Sequence, residues 1–350
     1  MELQIWMGRA GAGKSRRVLK TMQERRQRPQ ILLVPEHASH EAELDLCRAL
    51  GPTASRDAEV LSFRNLATRV LAQTGGLADV TLDAGGKLLT MRRALQEVSS
   101  RLTVFARPSQ RPAFLRQLVA LADELYAYQV TPEMLLAQVA DMEGAAGDKL
   151  RSAALIYGAY DAHLRGEGFD ARSRVQKLCD ALPESDYLMG KDVYVDGFSY
   201  FNRVEEDILE TALRQGNCLT VTLLGDESDP QLFQNALRQR DRLKRMAALV
   251  HARCEVETLV SKNDGPLGYL ERCFFDGEEP WQGEEPPIRL YQAETAFSEA
   301  EYVSACVRRL ARQGCRWRDI GVAARNMEVY GPLLEAVFRL SLIHISEPTR

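Results

Sequence analysis

Residues 8–15 read GRAGAGKS and fit the pattern G-x-x-x-x-G-K-[ST] at every fixed position. Residues 3–7 before this stretch, LQIWM, alternate as a buried strand does, and residues 16–26 after it are predicted to form a helix. Glycines let a loop wrap a phosphate with its N–H groups pointing inward, and the helix N-terminus that follows favours an anion. The stretch therefore predicts a nucleotide-binding loop; a glycine-rich turn with an incidental lysine is the alternative.

Every residue of this loop is a candidate contact to ATP. Lys14 is predicted to reach the β- and γ-phosphates, and Ser15 to place its hydroxyl on Mg²⁺. The implied cofactors are thus ATP and Mg²⁺. The candidate ATP contacts in the loop are Gly8, Arg9, Ala10, Gly11, Ala12, Gly13, Lys14 and Ser15.

A second metal ligand is predicted at Asp196, which follows the apolar residues of DVYVDGF at 192–198. An Asp–Gly turn without a metal role is the alternative. In motors that hydrolyse ATP, the residue after this acid is usually a glutamate that activates water, but here it is Gly197. Glu205 and Glu206 are expected about three turns into a helix, exposed to solvent. We therefore expect nucleotide binding with weak or absent hydrolysis, because a missing general base costs roughly 10²–10⁴ in rate.

Strand and helix patterns alternate at both ends of the chain, which predicts an α/β fold with a parallel sheet. Between residues 82 and 185 helical spacing predominates, and Thr131–Pro132 is typical of a helix start. The last ten residues, SLIHISEPTR, resemble a translated sequencing adapter. Residues 1–81 and 186–274 are predicted to form a sheet domain, and residues 82–185 a helical insertion. Residues 275–287 are predicted to be a linker. Residues 288–340 are predicted to be the truncated start of a second α/β domain, with strands at 288–291 and 320–324, and residues 341–350 a non-native tail.

Composition points to an ordinary globular protein without a membrane partner. The 350 residues are 45% hydrophobic and 27% charged, with a net charge of −4. Seven cysteines are scattered without a C-x-x-C pair, so neither a zinc knuckle nor a disulfide framework is indicated. No apolar run approaches the ~20 residues that span a bilayer, and no secretion signal is visible. A cytoplasmic location is expected.

The ordered series of segments resembles the N-terminal, helicase-like part of the AddB family, the second subunit of bacterial helicase–nucleases and a relative of superfamily-one DNA helicases. The resemblance runs from about Met1 to Phe338 and includes the segments GRAGAGKS, ILLVPEHASHEAE, VLSFRNLATRVL, VYVDGFSYFNRVEEDIL, GDESDPQLF and DIGVAARNMEVY. It implies a RecA-like P-loop sheet with a large helical insertion and the start of a second RecA-like domain.

The resemblance also implies partners and further site residues. It implies a γ-phosphate contact for Gln231 or Asp226, which lie in a loosened Gly-Asp-x-x-Gln motif, and another for Arg325. The partners implied are DNA and an AddA-like motor and nuclease subunit in a heterodimer. The family's nuclease domain and its 4Fe-4S cluster lie downstream of the residues present here. Candidate DNA contacts follow strands at the ligand edge of the sheet: His37, Ser62, Phe63 and Arg64.

For Phe63, core packing is the alternative to DNA contact, and for Arg325 a surface position is. Three functional hypotheses follow. The favoured one is an ATP-binding and DNA-binding subunit of a helicase–nuclease that processes double-strand breaks for recombinational repair. The others are a P-loop ATPase or kinase that acts alone, and a non-enzymatic scaffold with a relic nucleotide site.

Overall fold

The computed structural model describes residues 1–51, 54–75, 82–102, 104–105, 111–140, 142–166, 174–260, 265–274, 280–283 and 288–342. The chain divides into two compact units, Met1–Asn263 and Asp264–Arg350. The first unit contains the sheet and the helices of residues 84–181. None of the helices within the described ranges is long and apolar enough to cross a membrane.

The first unit is built on a six-stranded parallel sheet. Its strands are β1 (Glu2–Gly8), β2 (Gln30–Leu33), β3 (Ala58–Leu61), β4 (Asp192–Val195), β5 (Cys218–Leu224) and β6 (Arg253–Thr258). Their order is β3-β2-β4-β5-β1-β6, and each neighbouring pair is parallel. This confirms the predicted α/β class. Because the strands are parallel, the ends of β1, β4 and β5 that carry candidate site residues meet at one edge.

Helices cover both faces of the sheet, as a parallel sheet requires. The first unit contains α1 (Lys14–Glu24), α2 (Ser39–Leu50), α3 (Ala54–Asp57), α4 (Phe63–Thr74), α5 (Ala84–Val98), α6 (Pro112–Ala127), α7 (Pro132–Val139), α8 (Gly144–Gly166), α9 (Arg174–Ala181), α10 (Arg203–Gln215) and α11 (Gln234–Leu249). Trp6, Leu32 and Tyr194 pack with α1 and α2. Ile5 and Val195, which point the other way, pack with α4, α9, α10 and α11.

The predicted helical segment has a core of its own. Met91, Leu95, Ile156 and Tyr160 belong to one buried cluster formed by α5, α6 and α8. Thr131 caps α7 as predicted, because its hydroxyl accepts a hydrogen bond from the amide of Met134 at 3.3 Å. These helices therefore pack largely on one another.

The second unit differs from the sequence expectation. It contains α12 (Pro266–Cys273), α13 (Ala296–Arg312) and α14 (Met327–Leu342). The strands predicted at 288–291 and 320–324 are wrong, because neither segment pairs with a strand and Leu290 and Val322 are exposed. An apolar run becomes a strand only where a neighbour satisfies its N–H and C=O groups.

Two predicted segments fall largely outside the described residues. Of the predicted linker, only 280–283 is described, and it has no helix or strand. Of the predicted non-native tail, residues 341 and 342 continue α14, and 343–350 lie outside the described ranges. The segment boundaries of the sequence analysis remain predictions.

The cap of α10 gives a stability prediction. The side chain of Asn202 accepts a hydrogen bond from the amide of Glu205, and the Glu205 carboxylate accepts one from the amide of Asn202, each at 2.9 Å. Asn202→Ala removes the first bond and should lower the free energy of unfolding by about 1 kcal/mol. Urea unfolding followed by far-UV circular dichroism measures the loss. Asn235→Ala, on an exposed face of α11, is the matched control; an equal loss in both variants would contradict the cap assignment.

Candidate nucleotide site

The loop between β1 and α1 has a backbone suited to phosphate. Gly11 and Gly13 have φ of 72° and 84°, a left-handed conformation that favours glycine. No side chain caps the N-terminus of α1, and its first turn contains no acidic residue. The Nζ of Lys14 donates to the carbonyl oxygens of Gly8 at 2.7 Å and Arg9 at 2.8 Å. The helix N-terminus, the left-handed glycines and the ammonium group therefore lie together, which fits a phosphate group.

Gly8 is required by packing and not by its dihedral angles. A Cβ at this position would lie 2.7 Å from the carbonyl oxygen of Leu259 and 2.9 Å from the Cβ of Ala12. Any larger residue would push the end of β1 away from the segment after β6. The glycine thus fixes where the loop begins.

Asp196 lies at the same edge of the sheet as the loop. It follows β4, which is separated from β1 by β5 alone. Its Oδ1 accepts a hydrogen bond from the Oγ1 of Thr222 on β5 at 2.5 Å, and its amide donates to the carbonyl of Leu33 at 2.9 Å. Both bonds fix the position of Asp196 relative to the two neighbouring strands.

Ser15 and Asp196 line one pocket of about 210 Å³. Gly197, Glu41 and Asp45 also line it, the last two from α2. Within the described residues no group of three or more His, Cys, Asp or Glu side chains could hold a metal ion by itself. A hydroxyl and one carboxylate suit Mg²⁺, which keeps several waters and binds substrate phosphates.

Gly197 is left-handed, with a φ of 81°. A Cβ there would meet Pro35 at an ordinary contact of 3.5 Å, so the backbone and not the available space favours glycine. The position that carries a glutamate in hydrolysing motors therefore has, in this chain, a backbone conformation that disfavours any side chain.

The expectation for Glu205 and Glu206 is wrong in position and environment. Both lie in the first turn of α10, because the helix begins at Arg203 and not earlier. Burial raises the pKa of Glu205, against the lowering effect of the hydrogen bond from the Asn202 amide. Glu206 accepts hydrogen bonds from Gln239 at 3.1 Å and Arg242 at 3.3 Å. These carboxylates stabilise the α10 region and do not line the pocket with Ser15.

Asp226 contacts the loop through an arginine. The Nε of Arg9 donates to Oδ2 of Asp226 at 2.7 Å, and the amide of Ser228 donates to its Oδ1 at 2.9 Å. Burial acts to raise the pKa of Asp226, but the Ser228 amide and the Arg9 guanidinium hold that pKa below its usual range. Gln231 is exposed in the turn before α11. Arg325 is exposed in the second unit, so its role at the phosphate remains a prediction.

The four candidate DNA contacts divide by burial. Phe63 is 5% exposed and packs against Phe198 with ring centroids 5.3 Å apart, which favours the core-packing alternative. Ser62 is buried and caps α4 by accepting from the amide of Asn65. His37 and Arg64 are exposed, and Arg64 pairs with Glu36 at 3.3 Å. Of the four, only these last two present side chains that an external strand could reach.

A larger pocket, about 550 Å³, lies between α10 and α11 on the other face of the sheet and includes Tyr128. It contains no residue of the phosphate loop.

Sequence reasoning missed Thr222 and Glu41. The strand CLTVTLL contains two threonines, Thr220 and Thr222, among apolar residues, and these hydroxyls were the available signal, since a buried polar side chain needs a partner. Glu41 carries no local signal, because only the packing of α2 beside the loop brings it to the pocket.

The chain is similar to known proteins over most of its length. A family model described as "ADDB, N-terminal" matches residues 5–270. Proteins from Desulforudis audaxviator, Moorella thermoacetica and Geobacillus thermodenitrificans, each named as one subunit of an "ATP-dependent helicase/deoxyribonuclease", are 33%, 31% and 29% identical over 97% of this chain. The matched regions make up 31%, 32% and 31% of those relatives, so the chain spans about a third of their length. Because this family model matches most of the chain, the chain belongs to the family described as "ADDB, N-terminal".

Proposed function

We propose that this chain is the nucleotide-binding, N-terminal part of a DNA helicase–nuclease subunit, and that it binds ATP with Mg²⁺ but hydrolyses it slowly. The observation that carries the proposal is the shared pocket of Ser15 and Asp196 beside the loop of Lys14. The names of the relatives, which are helicase/deoxyribonuclease subunits, support the broader role.

The residues present account for the phosphates and the metal ion of the proposed ligand. The N–H groups of the loop and the N-terminus of α1 would bind the phosphates, and Lys14 would exchange its bonds to the loop carbonyls for phosphate oxygens. Ser15 and Asp196 would hold Mg²⁺, which neutralises phosphate charge when bound. Thr222 keeps Asp196 in place through its 2.5 Å hydrogen bond.

Slow hydrolysis is inferred from Gly197. No side chain at this position can orient water, and the left-handed backbone disfavours a substitute. DNA binding and assembly with a second protein of the complex are part of the same proposal. They are supported by the word "subunit" in the relatives' names and by the exposed positions of His37 and Arg64.

One observation favours the alternative of an ATPase that acts alone. Glu41 is exposed on α2 and lines the pocket with Ser15 and Asp196, where a carboxylate could replace the missing glutamate. The other acid of that helix in the pocket, Asp45, pairs with Arg48 at 2.7 Å.

Lys14→Ala tests nucleotide binding. Loss of charge-assisted hydrogen bonds to phosphate should weaken ATP binding by roughly ten- to a hundredfold. Isothermal titration calorimetry with ATP and Mg²⁺ measures the change. Lys20→Ala is the matched control, because Lys20 lies exposed on α1 and its loss removes the same charge. DNA affinity, measured by fluorescence anisotropy, should be nearly the same in both variants. Equal ATP affinity in the wild type and Lys14→Ala would refute the loop assignment, and no binding by the wild type would favour a scaffold.

Gly197→Glu tests the reason for slow hydrolysis. We expect no gain in ATP turnover, and a loss of about 1–2 kcal/mol in the free energy of unfolding, because a side chain must adopt a left-handed backbone. Gly197→Ala separates that backbone cost from the effect of the carboxylate. Turnover is measured by phosphate release. A gain of about 10²-fold or more in Gly197→Glu would show that the side chain alone was missing.

Glu41→Gln tests the alternative. If hydrolysis by the isolated chain is slow, as proposed, turnover should be the same in the wild type, in Glu41→Gln and in the control Glu43→Gln, which alters an exposed acid on the same helix. Rapid turnover in the wild type that falls by about 10²-fold in Glu41→Gln alone would establish Glu41 as the general base and reject slow hydrolysis.

A further inference from the structure

Arg9 connects the phosphate loop to the segment 225–233 between β5 and α11. Its Nε donates to Asp226 at 2.7 Å, and its guanidinium carbon lies 5.4 Å from the centre of the Phe233 ring. The side chains of Arg9 and Asp226 are 14% and 23% exposed. An ion pair shielded to this degree is screened less by water and salt than a surface pair is.

The main chain makes a second connection at the same place. The amide of Gly225 donates to the carbonyl oxygen of Gly8 at 3.3 Å. Gly225 is closely packed, since a Cβ there would lie 2.9 Å from Ala236 and 3.0 Å from Met7. The carbonyl of Gly8 also accepts from Lys14 at 2.7 Å. The start of the loop is therefore bound by Lys14 on one side and by segment 225–233 on the other.

The Asp226 carboxylate is also held by a backbone amide of its own segment. Its Oδ1 accepts from the amide of Ser228, which leaves Oδ2 directed at the guanidinium. A carboxylate placed directly at a γ-phosphate would repel it. A carboxylate neutralised by Arg9 can lie beside the loop without that cost.

We propose that Asp226 is a positioning residue of the nucleotide site, which acts through Arg9 to hold the phosphate loop in its binding conformation. This role replaces the γ-phosphate contact expected from the sequence, and it rests on the proposed function. It also makes segment 225–233, which carries Gln231, a structural neighbour of the bound phosphates.

The direction in which one substitution changes the affinity for ATP distinguishes this role from a simple charge effect. Removing a negative charge near an anion site ordinarily strengthens anion binding. Asp226→Asn should instead weaken ATP binding, by about three- to tenfold, because the start of the loop loses its side-chain anchor. Glu227→Gln is the matched control: it removes the neighbouring charge, which pairs with Arg240 and not with the loop.

A double-mutant cycle tests whether Asp226 acts through Arg9. The variants are Arg9→Met, Asp226→Asn and the pair together, with ATP affinity measured by calorimetry. In the Arg9→Met background, Asp226→Asn should no longer weaken binding. The same weakening in both backgrounds, or stronger binding by Asp226→Asn alone, would overturn the proposal.

A failure of the proposed function would give a different experimental result from a failure of this inference. If the wild type does not bind ATP, the proposed function is wrong, and the same four proteins are then compared by urea unfolding without nucleotide. Strong non-additivity in the free energies of unfolding would retain the pair as an anchor of the loop. Additive effects would refute it in either case.

Discussion

The candidate nucleotide site depends on the parallel register of β1, β5 and β4. Ile5 pairs with Val221, and Val221 pairs with Val195. This register places Thr222 beside Asp196 and ends β1 at Gly8, two residues further along the same edge. A slip of one residue would turn the acid to the opposite face of the sheet. The two cores, which pack different residues of the same strands, therefore also maintain the position of Asp196 beside the loop.

The helix after the loop is tied to β4 at both of its ends. Ser15 in its first turn shares a pocket with Asp196, and Arg25 just past its last turn lies 3.8 Å from Asp192 at the start of the strand. Asp192 is fully buried, and burial raises its pKa against the lowering influence of Arg25 and Arg28. The distance from the loop to Asp196 is thus constrained by the length of one strand and one helix.

The sequence predicts what depends on local pattern and fails where distant packing decides. GRAGAGKS, the strand before it and the cap at Thr131 were predictable, because each has a signature within a few residues. The presence of Glu41 in the pocket was not, since it depends on how α2 packs. The runs at 288–291 and 320–324 look like strands, yet whether they pair depends on neighbours that a local pattern cannot show. Phe63 had two possible roles, and only its burial in the fold favours one.

Binding and hydrolysis place different demands on this site. Nucleotide binding needs backbone amides that point into the loop, an ammonium group and a metal ligand. A loop, a helix and the edge of a sheet are enough to place these groups. Hydrolysis needs in addition a positioned base, and the left-handed Gly197 supplies no side chain for one and disfavours a replacement. A ligand that is bound without turnover can still do work if it favours one of two conformations. The Arg9–Asp226 pair joins the loop to the segment before α11, and under the proposed function it is the contact through which a movement of the loop on binding phosphate would reach that segment.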